Sequence, residues 1–76
     1  MKIPEKIVLD PGVMGGRPCI RGTRVTVGLI VGMLAGNHDR NEVLKLYPYL
    51  SSDDIDAALE YAAWRADEQE VVAASG

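Results

Sequence analysis

A single cysteine in a chain of 76 residues decides most of what can hold this protein together. A domain this short buries only about 60% of the surface its unfolded chain exposes, which leaves its stability marginal. Disulfides are one usual support, but Cys19 has no second cysteine to join. A structural zinc site is excluded as well, because one cysteine and one histidine, His38, do not make a ligand set. Oligomerisation is the remaining remedy. A hydrophobic content of 47% is generous for this length and implies that some of it faces a partner, so a homodimer is expected.

No apolar run follows Lys2, so no secretory signal is read at the N-terminus. The longest apolar stretch, Val25 to Ala35, is interrupted by Thr26, Gly28 and Gly32. It falls far short of the roughly 20 residues a membrane span needs. One unpaired cysteine fits a reducing cytoplasm, which is the expected location.

The net charge of −3 conceals an asymmetry. Residues 1–24 carry +3, from Lys2, Lys6, Arg17, Arg21 and Arg24 against Glu5 and Asp10, and residues 25–76 carry −6. Two ends of opposite sign offer different surfaces to different partners, or pair with each other.

Turn and cap signals divide the chain into one domain spanning residues 1–76. Ile7-Val8-Leu9 is a short apolar run stopped by Asp10-Pro11-Gly12, and Gly15-Gly16 and Gly22 bracket a second run. Short strands are expected around 7–10 and 18–21, within a β element covering 7–24. Thr26 is placed to cap a helix over 27–35, with Gly36 in the left-handed position after it. Asp39 and Glu42 have capping-box spacing for a helix over about 40–47, which Pro48 ends. Ser51 or Ser52 caps a third helix, running from about Asp53 to Glu70, with Asp53 and Asp54 on its positive end. Ala73-Ala74-Ser75-Gly76 is expected to fray. The second and third helices and the tight turn between them have helix-turn-helix dimensions.

At 100° per residue the third helix yields an apolar stripe of Ile55, Ala58, Leu59, Ala62, Ala63 and Ala66, read as the core face. Asp53, Asp56, Glu60 and Asp67 form an acidic stripe. Ala57, Tyr61 and Trp64 fall nearly opposite the core stripe and are read as a partner or dimer interface, unless the β element covers them. The first helix is apolar almost all round, with Val27, Ile30, Val31 and Leu34 on one side and Leu29 and Met33 on the other. Gly28, Gly32 and Gly36 make a ridge that lets another backbone approach, so Gly28, Gly32 and Met33 join the expected interface. In the second helix Val43, Leu46 and Tyr47 are read as inward.

No catalytic constellation stands out, and a non-enzymatic protein is expected. His38 lacks a neighbouring nucleophile and reads as a solvated loop residue. Cys19 reads as a buried small hydrophobe, although Arg17 and Arg21 nearby would favour its thiolate. The carboxylates of the third helix lack a His or Cys companion and read as a solvated face. Gly15-Gly16-Arg17 is too short for a phosphate loop and has no Lys-Ser/Thr end. The residues that suggest function are Arg17, Arg21 and Arg24, whose planar guanidinium groups suit phosphate or carboxylate. Phosphate, an acidic protein partner and internal ion pairs to the third helix all remain open. Against a conventional DNA-reading helix stands the sequence that begins the third helix, Ser51-Ser52-Asp53-Asp54-Ile55-Asp56, which phosphates would repel. Any DNA contact would therefore be led by the arginines.

The runs Gly15-Gly16-Arg17-Pro18-Cys19-Ile20-Arg21-Gly22-Thr23-Arg24-Val25, Ala35-Gly36, Tyr47-Pro48-Tyr49-Leu50 and Asp53 to Ala62 resemble the bacterial and archaeal family called domain of unknown function 433. The similarity spans about residues 7–64. It implies a mainly α, homeodomain-like three-helix bundle with a short N-terminal β element. It also implies an antitoxin of the VapB kind, whose partner would be a PIN-like ribonuclease toxin often encoded next door; the resulting expectation is a homodimeric antitoxin that neutralises this toxin, with binding of operator DNA and repression of its own operon left open. A DNA-binding regulator without a toxin, or a purely structural dimerisation module, are the alternatives. The chain departs from the family at Asn37-His38-Asp39-Arg40, where a Ser-led cap is common, yet Asp39 can serve the same purpose.

Overall fold

Each helix begins where a side chain can satisfy its free amide groups. The computed structural model describes the backbone of residues 4–75 and the side chains of residues 4–67. Helix α1, Val27–Ala35, starts at Thr26, whose hydroxyl accepts from the Leu29 amide at 3.0 Å. Helix α2, Arg40–Leu46, starts at Asp39 with the full capping box: Asp39 accepts from the Glu42 amide at 2.9 Å, and Glu42 accepts from the Asp39 amide at 3.0 Å. Helix α3, Ser52–Ser75, is preceded by Ser51, and Ser51 and Asp54 exchange side-chain-to-amide bonds of 2.9 and 3.3 Å. An N-cap of this kind contributes about 1 kcal/mol. Asp39→Ala is therefore expected to lower the unfolding free energy by about 1 kcal/mol in a urea titration, with an unchanged slope.

Two differences mark the helix ends. The left-handed residue after α1 is Asn37, at φ 74°, and not Gly36, which sits at φ −88°. Asn tolerates this conformation, and the shift lets the His38 amide close the helix on the Met33 carbonyl at 3.0 Å. Helix α3 runs to Ser75, past the expected Glu70, since Val71 to Ala74 contain no stop signal. Residues 73–75, where fraying is expected from the sequence, lie within α3, and Gly76 lies outside the described residues.

Strands β1, Ile7–Val8, and β2, Cys19–Ile20, pair antiparallel with Ile7 opposite Ile20 and Val8 opposite Cys19. A hairpin this small is marginal alone, and it holds because Ile7, Cys19 and Ile20 are buried. The rest of the core is Val25, Val27, Ile30, Val43, Leu50, Ile55, Ala57, Ala58 and Tyr61. The architecture is thus mainly α, three helices with a short N-terminal β element in a helix-turn-helix-like bundle.

The core face of α3 is turned by roughly one residue, about 100°, from the stripe expected. Ile55 and Ala58 are buried as read, and Ala62 is half-buried. Leu59 is 37% exposed, and Ala63 and Ala66 are exposed, while Ala57 and Tyr61 enter the core at 7% and 6%. The physical reason is tertiary packing: α3 lies chiefly on α1 and also meets β1, and this arrangement turns Ala57 and Tyr61 into the core. In α2, Leu46 points outward at 61% exposure, and Leu44 takes the inward role instead. Trp64 is half-buried against the core, its ring 5.9 Å from that of Tyr61. Trp64→Ala is therefore expected to cost more than about 1 kcal/mol and Leu59→Ala less, so that in paired circular-dichroism melts the tryptophan variant unfolds first.

Candidate functional site

The arginine segment gains its shape from one glycine. Ile20 and Thr23 close a tight turn, with the Thr23 amide donating to the Ile20 carbonyl at 3.0 Å. Gly22, its third residue, sits at φ 77°, a conformation that turns of this type reserve for glycine. The Thr23 hydroxyl donates to the Ile20 carbonyl at 2.8 Å and accepts from the Val25 amide at 3.0 Å, which locks the chain on its way into α1. Val25, with Thr26 bridged to Cys19, then leads the backbone under the hairpin. Cys19 is 1% exposed, in agreement with its reading as a small hydrophobe.

The three arginines have different surroundings. Arg21 is structural: its Nε and Nη2 both donate to the Glu5 carbonyl, at 3.1 and 2.7 Å, which ties the N-terminal segment to the turn. Arg17 and Arg24 are exposed and form no ion pair among the described residues. Arg17 borders a shallow depression with Pro18, Thr26 and Leu29, and Arg24 borders a separate one with Asp10 and Val13. Internal pairing of these arginines with α3 does not occur among the described residues. The carboxylates at the start of α3 find other cations instead, Asp54 with Lys6 at 3.4 Å and Asp56 with Arg40 at 2.8 Å.

Arg40 lies in the stretch that departs from the expected family pattern, and its sequence neighbours assign it no role. Its Nη1 also donates to the Ser52 carbonyl and hydroxyl, so it clasps the first turn of α3 to the first turn of α2. Its spacing of 12 residues from Ser52 offers no local signal. His38 is 47% exposed and stands 3.5 Å from Glu42, a surface pair. Among the described residues no cluster of three His, Cys, Asp or Glu side chains could hold a metal ion, and no helix is long and apolar enough to cross a membrane.

The expected interface on α1 and α3 divides. Tyr61 belongs to the chain's own core, and Trp64, half-buried, packs against that core beside it. Met33 packs partly against the core. Gly28 and Gly32 are exposed, and a Cβ added at either would meet nothing within 4 Å. Beside them Leu29 is 41% exposed, so α1 is buried on one side and open on the other. Between that open side and α3 runs an apolar groove with Arg65 at its rim, a feature that reading single helices could not reveal.

The model of a family described as a protein of unknown function, DUF433, matches residues 7–62. The uncharacterized protein y4eO of Sinorhizobium fredii is 34% identical over 58 residues, which are 76% of this chain and 26% of that protein. The chain thus spans about a quarter of that relative's length. The crystal structure of a DUF433 member from Anabaena variabilis is 32% identical and superposes with a TM-score of 0.78 over 91% of this chain and 68% of that one.

Proposed function

The chain belongs to the DUF433 family, and from its exposed arginines together with the antitoxin role that the family resemblance implies, we propose that it acts by binding and neutralising a PIN-like ribonuclease. The observation that carries this reading is the contrast among its arginines. Arg21 and Arg40 are committed to the fold, whereas Arg17 and Arg24 reach solvent with no acidic partner among the described residues. A nuclease of that kind gathers carboxylates around a divalent metal, so its site is strongly negative before metal binds. Guanidinium groups on either side of β2 and its turn suit that target, since arginine fits carboxylates in a bidentate fork and dominates binding hot spots.

Binding of operator DNA is the second reading, favoured by the helix-turn-helix-like bundle. Salt bridges offset Asp54 and Asp56 on α3, but Asp53 remains exposed at its first turn. Phosphate contact through Arg17 and Arg24 would give a log–log salt slope of about −0.9 per phosphate neutralised, so each Arg→Ala change is expected to flatten the slope by about one.

Co-expression with the neighbouring gene separates the two. The proposal expects the neighbour alone to arrest growth and this chain to relieve the arrest by forming a complex that co-purifies. DNA binding without any such complex would favour a regulator that has no toxin.

A further inference from the structure

The groove between α1 and α3 has a volume of about 520 Å³, with Gly28 and Val31 on one wall, Ala62 and Ala66 on the other, and Leu9 at one end. Arg65 stands on its rim, exposed and without an ion pair among the described residues. An occupant that satisfies it brings apolar side chains flanked by carboxylates. The outer face of α3 itself has that composition. Leu59, Ala63 and Ala66 are exposed at i, i+4 and i+7, which places them in one line down the helix. Glu60 and Asp67 are exposed beside that line, on the flank away from the groove.

We propose that a second copy of this chain fills the groove, with the two α3 helices side by side and parallel about a two-fold axis. In such a self-complementary contact each protomer supplies both the groove and the line that enters it. Direction follows from charge. Antiparallel helices related by a two-fold bring like flanks together, carboxylates against carboxylates. Parallel helices bring the Glu60–Asp67 flank of each against the Arg65 flank of the other. The contact covers Leu59, 37% exposed, and the Gly28 edge of α1; it stands apart from the Arg24 turn, while Pro18 and Gly28 also line the depression beside Arg17, so the two surfaces adjoin there.

Sedimentation equilibrium of the whole chain up to about 200 µM tests this, since mass action then populates even a weak dimer. The wild type is expected to form a reversible dimer. Gly28→Arg and Ala66→Arg enter the groove from opposite walls, and each is expected to raise the dimer dissociation constant at least about tenfold. Both sites are exposed and arginine is a good helix former, so each variant keeps its circular-dichroism spectrum. Arg65→Glu is expected to weaken the dimer at least about threefold, and adding Glu60→Arg to it is expected to restore the wild-type value. Leu46→Arg, on the exposed side of α2, is expected to change nothing. A monomer at the highest concentration overturns the proposal. So does a dimer that both groove variants leave intact or that Leu46→Arg disrupts equally, and a charge exchange that fails to restore association overturns the parallel pairing.

Discussion

Ile55→Ala is expected to cost about 2–5 kcal/mol, because it empties a fully buried site at the meeting point of α3 with the rest of the core. Ile55 has no exposed surface at all, and it packs among Ile30, Val43 and the hairpin residues Ile7 and Ile20 in one continuous cluster. At about 0.05–0.15 kcal/mol per residue, a chain of 76 residues has a total stability of about 4–11 kcal/mol. The loss is thus a large fraction of the whole. Each kcal/mol shifts the midpoint of a domain this size by about 4–8 °C, so the melt is expected to fall by at least about 8 °C. Ile55→Val, one methylene smaller, is expected to cost only about 0.5–1.5 kcal/mol. A melt of Ile55→Ala within about 3 °C of the wild type would show that the core is centred elsewhere.

The second large effect concerns binding. Reversing both free arginines, Arg17→Glu with Arg24→Glu, is expected to weaken the nuclease complex at least about 100-fold, roughly 2.7 kcal/mol. Part of that loss is lost pairing and part is repulsion between new carboxylates and an acidic site. Because both side chains are exposed and make no ion pair among the described residues, the melt is expected to stay close to the wild type. Reversal of Arg21 is expected to behave otherwise, since that guanidinium holds the Glu5 carbonyl and its loss loosens the N-terminal segment. Sedimentation of the double variant shows whether its dimer persists, which keeps a binding defect apart from a change of assembly.

Local chemistry was legible in the sequence, and nonlocal packing was not. Thr26, Asp39 and Ser51 act as caps because a capping bond spans three residues and depends on little else. The turn around Gly22 is legible for the same reason. The orientation of α3 was harder to read, because alanines at 57, 58, 62, 63 and 66 point in almost every direction and define no phase. A stripe drawn through Leu59 is as periodic as one drawn through Tyr61, and the choice falls to packing on α1 and β1, elements earlier in the chain, which leaves the tyrosine side buried. The same holds for the arginines. Nothing near Arg21 signals that its partner is a backbone carbonyl 16 residues away, nor near Arg40 that it reaches across to α3. The groove needs two helices and a hairpin edge in register, so no single-helix pattern contains it.

The central claim is that this chain restrains a ribonuclease by direct contact through the free arginines. A ribonuclease assay of the neighbouring gene's product, titrated with purified wild-type chain and with the Arg17→Glu, Arg24→Glu variant, tests it most directly. The wild type is expected to abolish RNA cleavage at a stoichiometric ratio, and the folded variant to require at least about 100 times more. Undiminished cleavage at saturating wild-type protein, or equal inhibition by the two, would contradict it.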